Sequence, residues 1–178
     1  MKIITVTLAP NQAVLTCYLQ DQSPKMPNAA IRPAMLVVAP AAATSIALTV
    51  RANRLPWLIW HRGSMRLFCA IRQMQPPRLT KHYRMVPLQW ITCAPTPRSW
   101  EIDPQQIAAV GFSAGGHLVA SLGTLLPKAQ RPNALVLGYA ATLGAMWTVA
   151  GRQEPDLHAL VDDDTPPTFL FATQGDAL

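Results

Sequence analysis

The sequence predicts an α/β domain, a mostly parallel sheet with flanking helices. Ala34-Met35-Leu36-Val37-Val38 and Ala134-Leu135-Val136-Leu137-Gly138-Tyr139 are continuous apolar runs, the pattern of strands buried on both faces. Ile107-Ala108-Ala109-Val110 runs into Gly111-Phe112-Ser113-Ala114-Gly115-Gly116 and then His117-Leu118-Val119-Ala120-Ser121-Leu122, which reads as strand, sharp turn and amphipathic helix. Strands that alternate with a helical segment imply parallel pairing.

The elements follow in chain order. Lys2 to Leu8 alternates as a strand does, and Ala13 to Leu19 reads as its hairpin partner across the turn Pro10-Asn11-Gln12. Asp21 to Pro33 holds three prolines and reads as loop before the strand at Ala34. Asp103-Pro104 makes a turn into the strand at Ile107, and the helix after Ser113 is expected to reach about Leu126. Arg131-Pro132-Asn133 is a loop before the strand at Ala134. Residues 145–165 read as loop with a short helix, and Pro166-Pro167 leads into the strand Thr168 to Thr173.

Length and composition bound the rest. At 178 residues the chain predicts one domain, 1–178, and an apolar half of the residues excludes a disordered tail. The start, Met1 to Leu8, is too short and too alternating for a signal peptide. Three cysteines, Cys17, Cys69 and Cys93, are an odd number without metal spacing and suit a reducing cytoplasm. No cofactor and no metal are implied. A net charge of +6 invites a nucleic-acid reading, but its distribution opposes one. Between Asp21 and Glu101 there are 79 residues with no carboxylate and eleven Lys or Arg, whereas Glu101 to the end has eight acids and three bases. Soluble domains normally carry both signs throughout. A membrane span at Pro33 to Val50 is disfavoured by Pro40 and by the strand pattern at 34–38.

Residues 40–99 are irregular. They have no clean period, yet with the adjoining Trp100 they hold four of the five tryptophans (Trp57, Trp60, Trp90, Trp100) and many arginines. Leu55 to Trp60 fits strand and helix equally.

The chemistry concentrates at Gly111 to Gly116. G-x-S-x-G between a strand and a helix is a nucleophile elbow. Gly111 and Gly115 allow strand and helix to converge on a tight turn, with Gly116 extending the small-residue run. The turn lifts Ser113 Oγ clear of the sheet. It also aims backbone N–H groups, that of Ala114 included, at the place where an oxyanion forms.

Asp103 to Ile107 followed by Gly111-Phe112-Ser113-Ala114-Gly115-Gly116-His117 resembles the α/β-hydrolase esterases of the acetylesterase and xylan-esterase type, also described as xylanase-like. Arg131 to Tyr139, Asp164 to Phe169 and the chain up to Val38 resemble that family too, so the likeness covers 1–38 and 101–178. It implies the α/β-hydrolase fold and a serine esterase acting on a small-molecule ester, with no nucleic-acid and no membrane partner. Ser113 would be the nucleophile, Ala114 N–H an oxyanion donor and Asp176 the acid. The family order Ser, Asp, His puts the histidine after Asp176, beyond Leu178, together with a further strand and helix. His117 lies only four residues past the nucleophile, His158 precedes the acid, and His61 and His82 fall in the irregular stretch. The family's P-G-G-G-Y oxyanion loop is replaced by Pro40-Ala41-Ala42-Ala43-Thr44, and alanine resists the positive φ that glycine allows.

A shift of reading frame over about residues 40–99, flanked by in-frame segments, would account for that replacement. If each neighbouring-frame codon ends in the first two bases of a residue seen here, Pro40 to Thr44 back-reads as P-G-G-G-Y. The residues after Thr44 back-read as an acid-bearing helix and a buried strand ending F-V-L-R-Y. The resulting expectation is a chain impaired in catalysis, without a central strand, with exposed apolar strand edges, disorder at 40–99 and a tendency to aggregate. Determining the codons for residues 38–100 checks this: the neighbouring frame should encode the glycine run, and codons that do not would refute the frame shift.

Overall fold

The fold was described from a computed structural model, which describes residues 2–8, 13–19, 21, 31–38, 67–72, 101–148 and 153–174. Among these, seven strands form one sheet: β1 (Lys2–Leu8), β2 (Ala13–Leu19), β3 (Arg32–Val38), β4 (Leu67–Arg72), β5 (Ile102–Phe112), β6 (Ala134–Gly138) and β7 (Thr168–Phe171). Their spatial order is β1-β2-β4-β3-β5-β6-β7. The β1–β2 and β2–β4 pairs are antiparallel, and the remaining four pairs are parallel. The hairpin is short enough for a tight turn, whereas the parallel strands need longer crossovers. Helix α1 (Ala114–Thr124) crosses from β5 to β6, and the shorter α2 (Gly144–Thr148) lies between β6 and β7.

The central strands are those with continuous apolar runs. Leu36, Val37 and Val38 of β3 and Ala109 and Val110 of β5 are buried. Leu118, Val119 and Leu122 of α1 share one cluster with Leu135 and Leu137 of β6 and with Leu157. Fully burying such a side chain contributes about 1.5–3 kcal/mol, so this cluster seats α1 firmly on the sheet.

Three expectations are corrected. The 40–99 stretch does not lack a strand of the sheet: Leu67 to Arg72 forms β4 between β2 and β3. The in-frame residues Leu67-Phe68-Cys69-Ala70-Ile71 are themselves a continuous apolar run, which suits an interior strand. β4 also falls where the neighbouring frame places its buried strand, and the edges of β2 and β3 are paired there rather than exposed. Second, β5 begins at Ile102, not Ile107. Asp103 makes its turn within the strand, accepting a hydrogen bond from Gln105 N (2.9 Å), and the β3–β5 register shifts between Arg32 and Ala34. Third, α1 ends at Thr124, where Leu125 N donates to Ser121 O (2.9 Å). The rest of 40–99, including Pro40 to Thr44, His61 and His82, lies outside the described residues, as does the expectation of disorder there. Among the described residues no helix is long and apolar enough to cross a membrane.

Candidate active site

The parallel strands end level with one another. Phe112 of β5 pairs with Gly138 of β6, and Gly138 pairs with Phe171 of β7. Neighbouring strands lie about 4.8 Å apart, so the ends of β5 and β7 are roughly 10 Å apart on the same edge. In open α/β sheets this carboxyl edge is where ligands bind.

Ser113 stands on that edge, at the turn between β5 and α1, and is half-buried. Its backbone has φ 52° and ψ −122°. Positive φ is disfavoured for a residue with a side chain and costs on the order of 1–3 kcal/mol, so the surrounding structure must impose it. Ser113 N donates to Gly138 O (3.1 Å), and Ser113 O accepts from His117 N (3.1 Å) and Ala141 N (3.3 Å). Serine at a helix N-cap ordinarily turns its hydroxyl onto the first-turn amides. Ser113 makes no such capping bond. The amides of Ala114, Gly115 and Gly116 precede the helix's first hydrogen bond, which is His117 N to Ser113 O. They form the positive end of the α1 dipole, where an anion is stabilised.

The glycines are required sterically. A Cβ at Gly111 would overlap the Gly115 carbonyl, with the carbonyl carbon 2.6 Å away and Gly116 N at 2.8 Å. A Cβ at Gly116 would collide with Ala140, whose Cα would be 3.0 Å from it. Gly115 thus matters through its backbone, against which Gly111 rests.

His117 is fully buried and committed elsewhere in the structure. Its Nδ1 is 2.7 Å from Ala141 O, and since a carbonyl only accepts, Nδ1 carries the proton. Trp147 Nε1 donates to the same carbonyl (3.0 Å). The 3.3 Å approach of Trp147 Nε1 to Nδ1 is then a contact between two donors rather than a bond. The two rings meet edge to face at 4.9 Å, and Glu154 Oε2 lies 4.0 Å from Nε2.

Burial pulls the His117 imidazole below its ordinary 6.5, and the hydrogen bond to Ala141 only partly opposes this. The unfolded chain therefore binds the proton more readily. This contribution to stability is present above about pH 6.5 and is lost as pH falls below it. Melting temperature should drop between pH 7.5 and pH 5.5, and the drop should be smaller in His117→Asn. Parallel profiles for the two proteins would contradict the assignment.

The expected residues divide accordingly. Ser113, Ala114, Gly111, Gly115 and Gly116 come together at one turn. Asp176 lies outside the described residues, although β7 delivers the chain to the same edge five residues before it. Sequence reading missed the grip of His117 and Trp147 on Ala141. It also missed Asn133, whose Oδ1 accepts from Ile107 N (2.7 Å) and ties β5 to the loop before β6. Arg131 holds Asp162 through two hydrogen bonds of 2.5 and 2.8 Å, which keeps that carboxyl well below the usual range. Among the described residues no group of three or more His, Cys, Asp or Glu could hold a metal ion.

No family model matches the chain. Over 40 residues it is 45% identical to an acetylxylan esterase of Xylanibacter ruminicola, a match spanning 22% of this chain and 8% of that protein. The chain is similar in structure to an alpha/beta hydrolase enzyme from a Medee basin deep-sea metagenome library, with TM-score 0.78 and 29% identity over 100% of this chain and 71% of that one. It is also similar to the carboxylesterase Cest-2923 of Lactobacillus plantarum WCFS1, with TM-score 0.70 and 21% identity over 98% and 73% of the two chains. The second likeness bears on the fold alone.

Proposed function

We propose, from the premise that the chain belongs to the α/β-hydrolase superfamily, that it carries the nucleophile site of a serine ester hydrolase of the acetylesterase type. The observation that carries this is Ser113 at φ 52° on the β5–α1 turn, its hydroxyl making no helix cap. Ser113 Oγ attacks the acyl carbonyl of a small or carbohydrate ester, and its proton passes to a base. The carbonyl oxygen becomes an oxyanion beside Ala114 N–H at the helix N-terminus, where fixed dipoles favour negative charge. Collapse expels the alcohol, and water then releases the acid from the acyl-serine.

The same reading holds that turnover is weak. His117 is engaged by Ala141 O, and the stretch that would complete the oxyanion hole has alanine in place of glycine at 41–43. Acid partnership is assigned to Asp176 from its place in the sequence, five residues after β7 ends at Phe171. Removing the base from such a triad costs several orders of magnitude in rate. Hydrolysis of p-nitrophenyl acetate is therefore expected near the buffer rate. Rapid turnover that Ser113→Ala abolishes would keep the nucleophile and overturn the impairment. Rapid turnover that Ser113→Ala leaves intact would overturn the site.

A further inference from the structure

We infer that His117 and Trp147 are positioning residues for Ser113, acting through the backbone of Ala141. This rests on the reading of Ser113 as nucleophile. Ala141 is gripped at both ends. Its N–H donates to Ser113 O (3.3 Å), and its C=O accepts from His117 Nδ1 (2.7 Å) and Trp147 Nε1 (3.0 Å).

The two grips form a closed circuit. His117 N donates to Ser113 O while the ring of the same residue holds Ala141, the other donor to Ser113 O. One residue of α1 thus ties both partners of the Ser113 carbonyl together. Trp147 closes the circuit from α2, packed edge to face on the His117 ring. His117 is 0% exposed and Trp147 8%, so both donor rings are withdrawn from water and held on the half-buried Ala141. Ser121 Oγ, buried one turn on, donates to His117 O (2.8 Å) and holds the α1 backbone below the ring.

The circuit has a purpose in a strained turn. A residue at φ 52° and ψ −122° relaxes unless its neighbours over-determine it. The bond from Ser113 N to Gly138 O fixes one side of that residue. The other side depends on the Ser113 carbonyl and hence on where Ala141 sits. A carbonyl that receives two donors from buried rings has little freedom to turn, so Ala141 N–H stays aimed at Ser113.

Side-chain replacement separates the hydrogen bond from the packing. His117→Asn keeps an N–H donor at the position of Nδ1. His117→Leu fills much of the volume without a donor, and Trp147→Phe keeps an aromatic ring without Nε1–H. Hydrogen exchange of the Ala141 amide is measured alongside the rate at which a fluorophosphonate labels Ser113. The inference predicts that His117→Leu speeds Ala141 exchange by at least tenfold and slows labelling by a similar factor. Trp147→Phe should do the same to a lesser degree, and His117→Asn should restore both toward wild type. The amides of Val110 and Leu137 in the sheet should keep their protection, marking the effect as local. Unchanged Ala141 exchange in His117→Leu, or an Asn variant as impaired as the Leu variant, would overturn it. Absence of labelling in the wild type would refute the nucleophile reading alone, because Ala141 exchange judges the positioning independently.

Discussion

Replacing Ser113 by glycine is expected to raise the melting temperature by about 2–4 °C while removing all covalent labelling and all ester turnover that depends on this turn. The two effects have one cause. Ser113 is held at φ 52° and ψ −122°, a region in which a Cβ is strained by on the order of 1–3 kcal/mol. Glycine adopts positive φ without that penalty, although its greater freedom in the unfolded chain returns part of the gain. A net gain near 1 kcal/mol corresponds to about 2–4 °C in a chain of this size. The hydroxyl leaves at the same time, and no capping bond is lost with it, because Ser113 makes none. Ser113→Ala should lose the chemistry equally but keep the strain. Thermal melts of the two variants beside wild type check this. Equal melting temperatures for the Gly and Ala variants would mean that the turn is not strained at this residue.

The second large effect is expected at Gly111. A methyl group there meets the Gly115 carbonyl, and the obstacle is backbone rather than the movable end of a side chain. Either β5 or α1 must shift. α1 is held by Leu118, Val119 and Leu122 in the core, and β5 is hydrogen-bonded between β3 and β6. Gly111→Ala should thus cost about 3 kcal/mol, the upper end of the range for overpacking, and lower the melting temperature by roughly 6–12 °C. It should also slow Ser113 labelling, since the turn is displaced with the helix. A variant that melts with the wild type would show that strand and helix do not converge as described.

These two sites were legible in the sequence because their requirement is local. A turn that brings a strand against a helix demands glycine at fixed offsets from the serine, and Gly111 to Gly116 displays those offsets within six residues. The interior strands were legible for a similar reason: Leu36 to Val38 and Leu135 to Leu137 are apolar on successive residues, which only a sheet covered on both faces accommodates. β4 was harder. Leu67 to Ile71 is an apolar run set among arginines and tryptophans, and its neighbours in the sheet, β2 and β3, are both far away in sequence.

The Ala141 circuit was not legible at all. It joins His117 to Trp147 across 30 residues through a backbone carbonyl, and no residue type marks a carbonyl that receives two buried donors. Sequence reading weighed His117 only as a base. The structure gives it a geometric role four residues from the serine it braces. Arg131 and Asp162, 31 residues apart, are likewise joined only by the folded chain, which brings the loop before β6 beside the loop before β7.

Treatment of the full chain with a fluorophosphonate, followed by peptide mass mapping, tests the central claim most directly. The account predicts a single adduct, carried by Ser113, that forms slowly in the wild type and is absent from Ser113→Ala. An adduct on another residue, or none after prolonged exposure of the folded protein, would contradict it.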